Sequence, residues 1–146
     1  MKEMILSETT INEFVEHIKK YLQELADAKS KGNSLSFAEY LEAFVDNNIL
    51  TVDYLTIDKL NHKVSYEGRE IILTAREFEI LYLLASNRGR VFSSEEIFER
   101  VWKEKYFQSN NTVMVHMSRL RDKLEKSSGG DKIIHTVWGV GYKIEK

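Results

Sequence analysis

NTVMVHMSRLRDKLEKSSGGDKIIHTVWGVGYKIEK, residues 111–146, changes its hydrophobic period once, and that change decides the fold. At about 100° per residue, Val113, Met117, Leu120 and Leu124 fall in one narrow stripe, which a helix from about Asn111 to Lys126 must turn toward a core. The opposite side carries Asn111, Val115, Ser118, Arg119, Asp122 and Lys126, with Thr112 on its flank. Ser127-Ser128-Gly129-Gly130 stops the helix. Ile133 to Val137 and Tyr142 to Ile144 then read as strands, rich in β-branched and aromatic residues. Gly139 and Gly141 permit the positive φ angles of a tight reversal, giving a β-hairpin over 133–145 with Trp138 at or beside its turn.

Two more helices are predicted before this one. Thr74-Ala-Arg-Glu77 is a capping box, with Leu73 placed to staple onto Phe78, and the helix that follows is apolar over much of its surface. Gly89 is its expected stop. Ser93-Ser-Glu-Glu96 caps a second helix that runs to about Trp102. From Asn48 to Leu73 the period is two: Ile49–Val52, Tyr54–Ile57, Val64–Tyr66 and Glu70–Leu73 read as short strands. Small reversals at Asn61-His62-Lys63 and Glu67-Gly68 favour an antiparallel meander.

Residues 1–47 read as a helical hairpin. A capping box at Thr10–Glu13 precedes Ile11, Phe14, Val15, Ile18, Tyr21, Leu22 and Leu25 at helical spacing. A second box, Ser36–Glu39, opens a helix through about Val45, with Leu35 placed to staple onto Tyr40. A hairpin this small does not bury both stripes within itself. It must cover its own domain, bind a separate partner or pair with another copy, and a homodimer through residues 1–47 is the expectation. The expected organisation is therefore α+β: a helical hairpin extension, 1–47, then a winged helix-turn-helix domain, 48–146. That domain has an N-terminal four-stranded antiparallel sheet, three helices and a C-terminal β-hairpin wing.

Charge and composition narrow the function. A net charge of −2 speaks against a nucleic-acid partner until its distribution is considered. Residues 1–47 hold 5 Lys and Arg against 9 Asp and Glu, whereas residues 110–146 hold 7 against 4. Positive charge thus collects at the helix and wing, the footprint of a DNA-facing surface. Arg119 sits on the outward face, where its fork fits guanine O6 and N7, and Val115, one turn earlier, fits a thymine methyl.

Enzyme signatures are missing. There is no cysteine for a disulfide or thiolate metal site, which suits a reducing compartment. His17, His62, His116 and His135 are scattered without metal-ligand spacing. Gly-Val-Gly in the wing opens no helix and so is no phosphate cradle. Neither catalytic residues, a metal nor a cofactor is expected. No apolar run is long enough to span a membrane, and the N-terminus lacks a signal-peptide layout, so a cytoplasmic protein with no membrane partner is expected.

The motifs together resemble a known family. LTAREFEILYLLASNRGRVFSSEEIFERVW (73–102), SNNTVMVHMSRLRDKLE (109–125) and IIHTVWGVGYKIEK (133–146) resemble the C-terminal effector domain of OmpR/PhoB-type response regulators. The combination of T-x-x-E-F, V-x-V-H-x-x-x-L-R-x-K and G-x-G-Y is specific, and the resemblance covers residues from about 49 to 146. It implies a sequence-specific transcriptional regulator of double-stranded DNA, with the third helix in the major groove and the wing at the minor groove. By position, Asn111, Thr112, Val115, Ser118 and Arg119 are base-facing. Trp102, His116, Arg121, Thr136 and Tyr142 are implied at phosphates and backbone. Trp138 falls at the wing tip, where many relatives carry arginine. Tyr106 and Phe107, in the loop Lys103–Asn110, are implied contacts for RNA polymerase subunits, unless they anchor the loop to the core. The resemblance also implies dimers on repeated half-sites.

The chain departs from the family's pattern in residues 1–47, which read as helix where a receiver is usual. Asp46, after Ala43-Phe44-Val45, lacks the surrounding βα units of a phosphoacceptor, so phosphorylation control of the usual kind is not expected. The alternative reading is a winged-helix module that contacts RNA polymerase or another regulator without specific DNA binding.

Overall fold

Alternating burial builds one wall of the core. The structure is a computed structural model, and it describes residues 8–30, 36, 37, 39, 48–107 and 110–146. Strands β1 (Ile49–Val52), β2 (Leu55–Asp58), β3 (Lys63–Tyr66) and β4 (Arg69–Ile71) form a four-stranded antiparallel sheet in chain order. Val52, Leu55, Ile57, Val64, Tyr66 and Ile71 are buried, while the intervening Thr51, Thr56, Ser65 and Glu70 are not. β2 lies one residue beyond its expected start because Asp53 takes a positive φ of 53°, which places Tyr54 in the turn. Glu67 and Gly68 both have positive φ, 48° and 81°, as a two-residue hairpin loop requires.

Three helices pack on that wall: α2 (Ala75–Ala85), α3 (Ser94–Trp102) and α4 (Thr112–Ser128). Strands β5 (Ile134–Val137) and β6 (Gly141–Ile144) then form the antiparallel wing. Phe78, Ile80, Leu81, Leu84 and Ala85 of α2 are all buried, so this helix is central to the core. Its end corrects the expectation at Gly89. The Ser86 hydroxyl and the Asn87 amide donate to the Tyr82 and Leu83 carbonyls, at 2.7 and 2.9 Å, so side chains satisfy the last turn before any glycine is reached. Gly89, at φ 88°, instead turns its N–H to the Ile144 carbonyl of β6 at 2.7 Å.

The N-terminal helix α1 runs Glu8–Ser30, so the Thr10–Glu13 box lies inside the helix and not at its start. Tyr21 is buried and its ring lies 5.4 Å from that of Phe37. The Ser36–Glu39 box forms as expected. Glu39 N donates to Ser36 Oγ at 3.1 Å, and Ser36 N donates to the Glu39 carboxylate at 2.9 Å. The helix expected to follow it through Val45, and the Leu35–Tyr40 staple, lie outside the described residues. The chain divides into two units, Met1–Ile49 with Asp58–Asn61, and Leu50–Ile57 with His62–Lys146.

One buried carboxylate fixes α4 against α2. Glu77 is 1% exposed, and its backbone N–H donates to Thr74 Oγ1 at 3.2 Å. Its carboxylate accepts from the Thr74 backbone at 2.9 Å, closing the capping box, and from Lys123 Nζ of α4 at 2.5 Å. Burial pushes the Glu77 carboxyl up, but the hydrogen bonds from Lys123 and Thr74 outweigh it and hold the group below its ordinary range. On the sheet side, the Tyr66 hydroxyl donates to Asp131 at 2.8 Å. That bond, then burial and the nearby carboxylate charges, raise the phenol to about 12.

Glu77→Gln should therefore destabilise the chain by about 1.5–3 kcal/mol at neutral pH, the range for a charge-assisted hydrogen bond. The folded carboxyl titrates below the unfolded one, so its contribution is complete above the ordinary carboxylate pKa. It disappears as pH falls through the lowered value. Denaturant unfolding from pH 7 down to pH 3 should show the gap between native and variant closing on acidification.

Candidate nucleic-acid interface

The orientation of α4 follows from what it buries. Val113, Met117, Leu120 and Leu124 are each almost fully buried, so the expected stripe faces the core. Asn111, Val115, Ser118 and Arg119 are left exposed on the other side, with Thr112 half-buried at the first turn. Asn111 is the N-cap, yet its side chain makes no capping bond. Asn110 does that work: its Oδ1 accepts from Thr112 N at 2.8 Å, which leaves the Asn111 amide outward. Gly129, left-handed at φ 73°, closes the helix, and Gly130 N donates to the Glu125 carbonyl at 2.8 Å.

Two of the residues expected at the DNA backbone meet on one flank of this face. The Trp102 ring stacks on Phe98 at 5.3 Å and carries the Arg76 guanidinium 5.3 Å from its centroid. Its neighbour across the helix-turn-helix is His116, edge-on at 5.0 Å. His116 Nδ1 is 2.9 Å from the Thr112 carbonyl, which fixes the ring and points Nε2 away from the helix backbone. On the other flank, Thr136 and Tyr142 are cross-strand partners of the wing. Arg121 reaches both of them: its Nη2 donates to Thr136 Oγ1, and its guanidinium carbon lies 5.0 Å from the Tyr142 ring centroid. The residues read at bases thus lie between two clusters read at backbone, one from the helix pair and one from the wing.

Arg119 differs from every other arginine in the chain. Arg69, Arg76, Arg88, Arg90, Arg100 and Arg121 each hold a carboxylate, a carbonyl or a hydroxyl. Among the described residues, nothing holds Arg119. The opposing charge on this face is also muted, since Asp122 pairs with Lys126 at 2.9 Å one turn away. Met114, 61% exposed, was not singled out by the sequence. It shares a cleft with Ser118, Arg121, Asp122 and Tyr142, and its position four residues before Ser118 was the available signal.

The wing is held at its base and bare at its tip. Phe92 and Tyr142 form a bridge, with N–H···O bonds of 2.8 and 2.9 Å in the two directions. This close approach corrects the reason for Gly141. That residue needs no positive φ; a Cβ there would lie 2.0 Å from the Phe92 carbonyl oxygen. Gly139 alone makes the reversal, at φ 75°, with Val140 N donating to the Val137 carbonyl at 2.9 Å. Trp138 is 90% exposed and packs on no core. In the loop after α3, Tyr106 packs edge-on against Phe98 at 5.8 Å and anchors the segment, while Phe107 is 63% exposed. Among the described residues, no group of three His, Cys, Asp or Glu side chains is placed to hold a metal ion.

Comparison with known proteins gives a consistent picture. The family described as transcriptional regulatory protein, C terminal, matches residues 68–144. Regulatory protein VanRc of Enterococcus gallinarum is 51% identical over 94 residues, covering 64% of this chain and 41% of that protein. Response regulator SaeR of Staphylococcus aureus USA300 is 44% identical over 97 residues, covering 66% of this chain and 42% of that protein. The chain therefore spans about two fifths of the length of these relatives. Among solved structures, the DNA-binding domain of Klebsiella pneumoniae RstA in complex with the RstA box superposes with a TM-score of 0.61 and 28% identity. The match covers 66% of this chain and 96% of that one.

Gly141→Ala should cost about 1–3 kcal/mol, since the added methyl forces two backbones apart. Hydrogen exchange at the Phe92 and Tyr142 amides should lose protection. Gly139→Ala, strained by its φ but facing open space, should leave those two amides protected.

Proposed function

The chain belongs to the OmpR/PhoB-type winged-helix family of DNA-binding transcriptional regulators, and from that premise we propose how its surface reads DNA. α4 enters the major groove with Asn111, Thr112, Val115, Ser118 and Arg119 toward base edges. Trp102 and His116 on one flank, and Thr136 and Tyr142 on the other, rest on the sugar-phosphate backbone. The wing reaches the minor groove with Trp138 at its tip, supplying an indole N–H donor and an apolar face in place of a cation. The observation that supports this most is the uncommitted guanidinium of Arg119, in a fold that employs its other arginines internally. An unpaired fork on an outward helix face fits bidentate contact with guanine. Exposed Phe107 supports the α3–α4 loop as a contact for RNA polymerase subunits, with Tyr106 as its anchor. Family membership supports a cytoplasmic location, and among the described residues no helix is long and apolar enough to cross a membrane.

α1 supports the proposal of a homodimer. Val15 and Leu22, on the stripe that the sequence marks as apolar, are 43% and 57% exposed. Exposed apolar residues at helical spacing fit pairing with a second copy, and the acidic balance of residues 1–47 keeps that segment away from phosphates.

Arg119→Ala should weaken the best duplex site by about 1–3 kcal/mol and relax preference at one base position, measured by selection from a random duplex pool. Undiminished selectivity in that variant would mean that α4 is turned differently in the groove, and salt-independent binding by the native chain would favour the protein-contact alternative. For the dimer, Val15→Glu combined with Leu22→Glu should convert a sedimenting dimer to a monomer without loss of helical signal; a native chain that is monomeric at micromolar concentration would refute the pairing.

A further inference from the structure

The position of Arg121 in the family pattern implies a phosphate contact, but its surroundings point to a different task. We propose that Arg121 is a positioning residue, which fixes the wing against α4 so that helix and wing meet the duplex at a set spacing. This inference rests on the DNA-binding reading above.

Three observations carry it. First, Arg121 grips both strands of the hairpin at once. Thr136 and Tyr142 are directly opposed in the β5–β6 register, so their side chains share one face of the wing. The guanidinium bonds the hydroxyl of one and lies over the ring of the other. Such a double contact uses the planar fork and the flat face of arginine, neither of which lysine possesses. Second, Arg121 Nε is buried without a hydrogen-bond partner. A cation meant for phosphate presents its donors to solvent, as Arg119 does two residues earlier; Arg121 withdraws one of its donors from reach. Third, the remaining ties of the wing are unevenly shared. Gly89 N to Ile144 O, the Phe92–Tyr142 bridge and Arg88 Nε to Glu145 O all hold β6 or the residue after it. β5 buries Ile134 at its base and pairs with β6 along its length, and among the described residues its hydrogen bond to α4 is the one from Arg121 to Thr136. The exposed tip begins two residues later, at Trp138.

The consequence is mechanical. With Arg121 in place, the wing strands and α4 move as one piece, and the tip that carries Trp138 keeps a fixed distance from the base-reading residues. Without it, the paired strands β5 and β6 lose their tie to α4 and pivot together beyond the Phe92 bridge. The cost on DNA is then one of lost preorganisation, not of a lost charge contact.

The test uses the full chain with Arg121→Lys, Arg121→Ala and Thr136→Val. In free protein, all three should speed hydrogen exchange at the Val140 amide by about tenfold, with amides of the α2 core unchanged, because local opening is separable from global unfolding. On a duplex selected by the native chain, both Arg121 variants should bind about tenfold more weakly with the salt slope unchanged, since no counterion-releasing contact is lost. Rescue of exchange and affinity by lysine would overturn the proposal, as would a drop in salt slope of about 0.9 in Arg121→Ala, the signature of one phosphate contact. Native exchange at Val140 in Thr136→Val would also overturn it, by showing that the hydroxyl is not the anchor. If the exchange results hold and the native chain binds no duplex, the DNA reading fails while the positioning of the wing stands.

Discussion

Burial of four side chains on α4 is the constraint from which the rest of the surface follows. Val113, Met117, Leu120 and Leu124 are excluded from water almost completely, and a helix has only one rotation about its axis that achieves this. Once that rotation is set, Val115, Ser118 and Arg119 have no alternative to facing outward. Glu77 then prevents sliding along the axis. Its carboxylate caps α2 and holds Lys123 of α4, so the start of the central helix and the last turns of the outward-facing helix share one hydrogen-bonding group. A charge buried to this degree is tolerable only when paired, which makes the pairing strongly geometric.

Commitment of the arginines separates structure from function more sharply than their positions in the chain do. Arg76 caps the end of α3 through the Val101 carbonyl and covers Trp102. Arg90 and Arg100 share Glu96, and both guanidinium groups lie over the Phe92 ring. Arg121 joins α4 to the wing. Each of these side chains contributes to the shape of the domain. Among the described residues Arg119 has no internal partner, and a long cationic side chain kept free of such partners retains its capacity to bond elsewhere.

The wing shows the same division over a few residues. Its base is bridged by backbone hydrogen bonds to Phe92 and Gly89, and Gly141 is glycine because the neighbouring backbone leaves no room for a methyl group. Its tip is exposed at Trp138 and Val140. Trp138 is large, apolar and almost wholly in water, an arrangement that contributes nothing to the stability of the free domain. A hydrogen-bonded base with an exposed aromatic tip fits the minor-groove contact proposed for the wing.

Local patterns in the sequence determined most of the architecture, because they depend on residues a few positions apart. Period-two alternation located the four strands to within a residue or two. The Thr74–Glu77 box formed as expected, Ser93 caps α3 through the Glu96 backbone, and the angular stripe of α4 selected its inward face. Motif spacing also carried the family, and with it the expectation of which α4 and wing residues face DNA. What only the tertiary structure decided were the relations between elements distant in the chain. No local pattern tells that Lys123 meets Glu77, that Trp102 lies against His116, or that Arg121 turns into the wing while Arg119 does not. The two arginines are two residues apart with the same chemistry, and a rotation of about 200° between them places one at the joint and the other in solvent. Gly141 makes the same point: its sequence neighbourhood suggested a turn, whereas the reason it must be glycine is a carbonyl oxygen forty-nine positions earlier, at Phe92, brought within 2.0 Å of where a Cβ would lie. Sequence records such a contact only as a residue type, since the distance that explains it exists only after the chain has folded.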